Sequence, residues 1–308
     1  MTHSSRKLSA VALFILIAFA VTGALRVTRL RAAEAHYQLV DNWAQFPSGM
    51  TKWAAVSGVD IDAHDNVFVF QRNPAMPILV FDRNGKFLRG WGEGMFKQTH
   101  FLRVDHSGSV WVTDRGNLQA YKFDSYGKLL LTLGKKGIPG DNTSTDAFNG
   151  VADVAVAKNG DIFIADGEGL NTRVVKFSKD GKFIKWWGGK GTDPGQFDVP
   201  HSIAIDSKDQ IYVADRSNNR IQIFDHNGKF LNQWTNFGTP WGLFIKGDLI
   251  YVVDGTANNC LLIANLKDGK VIDRIDGLSN ATAVTVDSAG AIYIGEVNGM
   301  NVKKFVRK

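Results

Sequence analysis

A β-rich run closed by an acid recurs along this chain and restricts its fold more than any other feature. Val-Ala-Asp215 is the clearest copy; Val-Thr-Asp114, Ile-Ala-Asp166, Val-Val-Asp254 and Ile-Gly-Glu296 repeat it, and a weaker Val-Phe-Gln71 comes first. From Gln71 to Glu296 the closing residues stand 43, 52, 49, 39 and 42 positions apart. A turn-plus-lysine motif keeps the same beat: Asn84-Gly85-Lys86, Tyr126-Gly127-Lys128, Asp180-Gly181-Lys182, Asn227-Gly228-Lys229 and Asp268-Gly269-Lys270. Around Asp215 four runs stand out, His201–Asp206, Gln210–Asp215, Arg220–Asp225 and Lys229–Trp234. Each is rich in β-branched and aromatic residues and is bounded by turn residues. Asn227-Gly228 is a hairpin signal because both residues tolerate positive φ. One four-stranded meander cannot bury both of its faces, so it needs neighbours of the same kind. Six copies at this period predict an all-β fold, a six-bladed β-propeller over residues 36–308.

Most of the repeated Asp, Asn and Gly positions therefore read as turn builders. Residues 37–46, Y-Q-L-V-D-N-W-A-Q-F, read as one strand. The sixth repeat stops after Ala291–Glu296 and Asn301–Val306, so a strand is missing at one end of the chain and spare at the other. Pairing 37–46 with Asn301–Val306 is expected to complete the last blade and close the ring. Cys260, the single cysteine, excludes an internal disulfide; it stands in the slot of Arg220 and reads as a small buried apolar residue.

Residues 1–35 do not share the repeat. Arg6-Lys7 precede an uncharged run of eighteen residues from Leu8 to Leu25, an export signal. Two fates are open. Ala33-Glu34-Ala35 has the form of a cleavage site, and residues 8–25 are long enough to stay as a membrane anchor. The expected location is outside the cytoplasmic membrane, periplasmic or extracellular. The first 35 residues hold five Arg or Lys and one Glu, which leaves +2 of the chain's +6 for the rest. That charge, without a basic run interleaved with aromatics, argues against nucleic-acid binding.

The first residues of the innermost strands line the central channel. Aligning the repeats puts Ser57, His100, Ala152, His201, Trp241 and Thr282 at one ring position. Alternate blades of a six-bladed ring lie a third of a turn apart, so imidazoles from blades two, four and six would converge on Zn²⁺ with an open fourth position. Here blade six offers Thr282, and the metal set needs Glu168, Glu296 or water beside the two histidines. Arg72, Arg115 and Arg216 follow the second strand of blades one, two and four. They either line one channel mouth and attract an anionic group, or pair with loop carboxylates. Trp241 reads as channel filling or as a stacking platform. The long connections Lys135–Asn149 and Gly188–Gln196 lead into innermost strands and are either ligand loops or solvated links.

The motif with Asp215, Asn219, Arg220 and Ile221 resembles the NHL repeat. From Val56 onward the chain resembles the peptidyl-α-hydroxyglycine α-amidating lyases, secreted six-bladed propellers. Pro139-Gly-Asp141, leading to Asp153-Val-Ala-Val, and Val199-Pro-His201-Ser are the more specific segments. The resemblance implies cleavage of a peptidyl-α-hydroxyglycine to a peptide amide and glyoxylate, with a channel zinc held by three histidines. It makes His100 and His201 two zinc ligands, and Arg72 and Arg216 the arginines that bind and polarise the substrate. This chain departs from the pattern. Thr282 replaces the third histidine, and Ala283 removes an acid that helps to hold a structural calcium. Glu168 or Gly169 stands where the family has a tyrosine, and Thr99 precedes His100 in place of proline. Three classes follow: an exported propeller that binds a small-molecule or peptide ligand, or a protein, around a degenerate metal site; a working lyase with a rearranged ligand set; and a membrane-anchored scaffold.

Overall fold

The computed structural model describes residue 1, residues 36–256 and residues 258–308. The chain divides into two units, 1–34 and 35–308. The export signal and the apolar run 8–25 lie outside the described residues. Among the described residues no helix is long and apolar enough to cross a membrane.

Residues 36–308 form six four-stranded antiparallel sheets. Their innermost strands, Val56–Ile61, Thr99–Val104, Val151–Val156, Pro200–Ile205, Pro240–Lys246 and Ala281–Val286, neighbour one another in a closed ring. The only helix among the described residues is a single 3-10 turn, Arg216–Asn218. This is the six-bladed propeller that the repeat predicts.

Ring closure is achieved by fewer residues than the sequence suggests. The N-terminal strand is Tyr37–Val40, not 37–46, and its register runs from Tyr37 opposite Arg307 to Val40 opposite Lys304. Asn42 turns the chain with φ 51°. Residues 41–46 then cross to blade one, where the Gln45 N–H donates to the Gly85 carbonyl at 2.7 Å. Trp43 joins the two blades. Its indole donates to the Val302 carbonyl at 3.0 Å and meets Phe81 and Tyr293 edge-on, with centroids 5.7 and 5.3 Å away.

That contact continues a pattern around the ring. A Cβ on Gly127, Gly228 or Gly269 would come within 2.6–2.7 Å of the indole of Trp91, Trp187 or Trp234 in the preceding blade. The turn glycine is thus required twice over, for positive φ and for the indole pressed against it.

The recurring acids have a local task. Asp114 accepts the N–H groups of Lys97 and Gln98 at 2.8 Å, Asp166 that of Asn149 at 2.9 Å, Asp215 that of Asp198 at 2.7 Å and Glu296 that of Ser279 at 2.7 Å. Each ties down the loop that feeds the innermost strand of its own blade. Gln71 does the same with its amide oxygen, taking the Ala54 N–H at 2.8 Å, which accounts for the weaker first copy.

In blades three and four the acid also anchors a buried arginine. Arg173 pairs with Asp166 at 3.0 Å and donates to the carbonyls of Asn142, Ser144 and Ala147. Arg220 pairs with Asp215 at 2.7 Å and donates to Thr192, Asp193 and Gln196. The two long connections are therefore gathered carbonyl by carbonyl onto a guanidinium, and neither is a simple solvated link. The blade-five connection is short, and buried Cys260 suffices in the arginine slot; burial raises its thiol to about 11.

Two stability tests follow. Trp43→Ala should cost about 3–5 kcal/mol in chemical denaturation, the usual range for a buried Trp truncation, and deleting residues 36–46 should remove the cooperative transition. Arg220→Met leaves Asp215 buried without its cation. A cost of about 3–5 kcal/mol is expected, with faster amide exchange at 190–197 and unchanged exchange at 235–239.

Candidate functional site at the channel mouth

The site is built by one irregularity repeated six times. Each innermost strand carries one extra residue relative to its partner strand: between Val56 and Gly58, Thr99 and Leu102, Val151 and Asp153, Pro200 and Ser202, Pro240 and Gly242, and Ala281 and Ala283. A bulge of this kind re-aims side chains out of the pleat. The bulged residues include Ser57, His100, Ala152, His201, Trp241 and Thr282, the ring position read from the repeats. In blade four the entry is strained as well. Val199 holds φ 62°, which costs a β-branched residue about 1–3 kcal/mol. Its carbonyl is met by the Arg216 N–H at 3.0 Å.

The ring supplies partners for the two imidazoles. His100 Nδ1 donates to the Ala152 carbonyl at 2.8 Å, and His201 Nδ1 donates to the Trp241 carbonyl at 2.6 Å. With Nδ1 holding the proton, each Nε2 presents a lone pair to the axis. Both rings are buried and their centroids lie 5.0 Å apart. Burial keeps them neutral: it lowers His100 and takes His201 to about 3.

Glu168 completes the cluster. It arrives from blade three, two residues after Asp166, and its N–H donates to the Gly150 carbonyl at 2.7 Å. A Cβ on Gly167 would lie 2.4 Å from Pro200, and one on Gly169 would lie 2.2 Å from the Asn149 carbonyl. The Gly-Glu-Gly sequence is what lets this loop swing in over the axis. The carboxylate then divides its two oxygens between the flanking blades. Oε2 faces blade two, 2.8 Å from Arg115 and 3.8 Å from His100 Nε2. Oε1 faces blade four, 2.6 Å from Arg216 and 3.4 Å from His201 Nε2. Burial pushes the Glu168 carboxyl up, but the surrounding groups outweigh it and hold it at about 2. Because the imidazoles are uncharged at neutral pH, we assign that effect to Arg216 and Arg115.

Both imidazoles and Glu168 offer ligand atoms within 4.8 Å of one another. Two neutral imidazoles fixed through Nδ1, plus one ionised carboxylate, form a donor set suited to Zn²⁺ with an open position. The third donor comes from blade three, not from blade six. Thr282 is buried, and its hydroxyl has no hydrogen-bond partner among the described residues. Glu296 is committed to the Ser279 N–H and to Lys303 at 2.9 Å.

The three arginines do not share one environment. Arg115 and Arg216 touch Glu168, whereas Arg72 is exposed and has no ion-pair partner among the described residues. Arg72 still feels the site. Its pKa is lowered first by partial desolvation and then by the Arg115 charge. Trp241 is a platform for Arg216, whose guanidinium lies 4.5 Å from the indole centroid.

Deeper in the channel stands a group that sequence reasoning missed. Arg103 reaches from blade two to Asp153 of blade three at 3.0 and 2.5 Å, to the Ser202 hydroxyl of blade four at 3.1 Å and to the Leu243 carbonyl of blade five at 3.1 Å. Asp60 accepts the Val104 N–H and the Thr285 hydroxyl, each at 2.8 Å, and ties in blades one and six. An arginine within a mostly buried innermost strand, Thr99–Val104, was the available signal. Ala283 is a buried apolar residue in the core cluster with Val56 and Tyr293.

The model of the NHL repeat matches residues 197–224, the fourth blade's core. The human protein named NHL repeat-containing protein 3 is 34% identical over 194 residues, 59% of this chain and 54% of that protein. Rat peptidylglycine alpha-amidating monooxygenase is 39% identical over 173 residues, 52% of this chain and 17% of the relative. A probable peptidyl-alpha-hydroxyglycine alpha-amidating lyase of Caenorhabditis elegans is 38% identical over 145 residues, 46% of this chain and 41% of the relative. The match thus spans from about a sixth to about half of these relatives' lengths. Among solved structures, a streptogramin B lyase superposes with a TM-score of 0.61 at 16% identity, covering 90% of this chain and all of that one. At that identity the likeness concerns the fold. The chain is a six-bladed β-propeller with an NHL repeat, similar in sequence to the peptidyl-α-hydroxyglycine α-amidating lyases.

Proposed function

We propose that the protein is an exported binding propeller, and that its channel mouth takes a compact anionic ligand, a small molecule or the carboxylate of a peptide. The observation that carries this reading is the charge balance. Arg72, Arg115 and Arg216 face a single carboxylate, Glu168, and the two imidazoles are neutral, which leaves a net charge of +2 at the mouth. Guanidiniums match carboxylate geometry, and Arg72 keeps its donors free for an incoming group. Export rests on Arg6-Lys7 and the apolar run 8–25.

A divalent cation fits beside the anion, held by His100 Nε2, His201 Nε2 and Glu168. When bound, it would supply Lewis acidity toward a ligand oxygen. The residues themselves bind and orient. Arg115 and Arg216 fix the direction of Glu168, and the Arg103 network fills the channel below. A general base works best with a pKa near the working pH; Glu168 at about 2 and His201 at about 3 are both poor proton acceptors. No tyrosine stands at the Glu168 position. These features favour binding. The second reading, a metal-dependent lyase releasing a peptide amide and glyoxylate, draws on the relatives' names.

Calorimetry with acetate should show binding that weakens as salt is added. Arg216→Gln should lower its affinity about tenfold, the loss of one charge-assisted hydrogen bond. Retained affinity in Arg216→Gln, or no salt dependence, would remove the anion site. Metal analysis of the purified protein should show substoichiometric zinc, and none after His201→Ala. An α-hydroxyglycine peptide should give no amide product above background; amide formed in step with zinc content would establish the lyase instead.

A further inference from the structure

The Glu168 carboxylate is shared between two kinds of partner that compete for the same oxygens. Each oxygen has a guanidinium at 2.6–2.8 Å and an imidazole Nε2 at 3.4–3.8 Å. The inner face is closed to solvent, with side-chain exposures of 5% for His100, 1% for His201 and 7% for Glu168. Arg115 and Arg216, at 40% and 20%, are its outer cover. A cation bound to both imidazoles must take electron density from Glu168 while two guanidiniums already hold it. It would also add two charges where the net charge is already positive. An anion on the outer side reverses both effects, because it gives the guanidiniums another partner and offsets the added charge.

Resting on the binding function proposed above, we propose that Arg115 and Arg216 form a latch on Glu168 that a compact oxyanion releases, so that the anion and a divalent cation bind the channel mouth cooperatively. The two arms differ. Arg216 lies on the Trp241 indole at 4.5 Å and is the more buried, so it is the stiffer arm. Arg115 has no such platform among the described aromatic rings and is the arm that swings. The coupling works in both directions: whatever factor the anion adds to cation affinity, the cation adds to anion affinity.

The test uses Co²⁺ as a coloured probe and acetate as the anion, on the full chain in a non-coordinating buffer, with a blank for acetate–Co²⁺ complexation. Saturating acetate should tighten Co²⁺ binding about tenfold, within the usual span of coupling factors, and saturating Co²⁺ should tighten acetate binding by the same factor. Arg115→Gln should bind Co²⁺ more tightly than the parent without acetate, with the coupling factor reduced toward one. Its circular dichroism and melting temperature should match the parent, since the changed side chain is at the surface. Acetate binding alone, with no effect on Co²⁺, would remove the latch and leave the anion site standing. Absence of acetate binding with and without Co²⁺ would remove both. No Co²⁺ binding at saturating acetate, or an Arg115→Gln variant with the parent's affinity and coupling, would also overturn the latch.

Discussion

The structure depends on how its last blade is finished. Blade six has three strands of its own at the end of the chain, and four residues near the start, Tyr37–Val40, supply the fourth. Without them the Asn301–Arg307 strand would present an open edge, and blades six and one would lose the indole of Trp43 that packs between them. Every other blade contact presupposes this closure, because the innermost strands can point at a common axis only when the ring is complete.

Within the ring, the same polar device is used in blade after blade. A carboxylate or amide at the end of the second strand holds the entrance to the innermost strand. Where the entrance is long, a buried arginine gathers its carbonyls as well. These groups recur because each blade must satisfy buried backbone donors and acceptors at the same place. Their recurrence marks them as architecture. The side chains that differ from blade to blade are the ones free to carry function.

Those differences concentrate in blades two, three and four. Blades two and four each contribute a bulged histidine and a following arginine, and blade three places Glu168 between them, so the site has an approximate mirror arrangement in a molecule built by rotation. Below them Arg103, paired with Asp153, draws blades two to five together. A charge excess at one end of a low-dielectric channel is a natural basis for attracting anions.

Periodicity made the fold legible. The spaced strand-closing residues and the turn glycines are properties of contiguous sequence, so the blade count, the ring position of His100 and His201, and the N-terminal closure could all be read along the chain. The length of that closing strand could not, because Asn42 leaves the strand to carry Trp43 into a neighbouring blade. Nor could the choice among Glu168, Glu296 and water beside the two histidines: Glu168 reaches them from blade three because Gly167 and Gly169 allow its loop against Pro200 and Asn149. Arg115 and Arg72 occupy equivalent slots, and only the position of Glu168 separates the paired one from the free one. Sequence determined which residues repeat. Tertiary structure decided which of them meet, because convergence at an axis depends on loop clearance and blade orientation that no local pattern encodes.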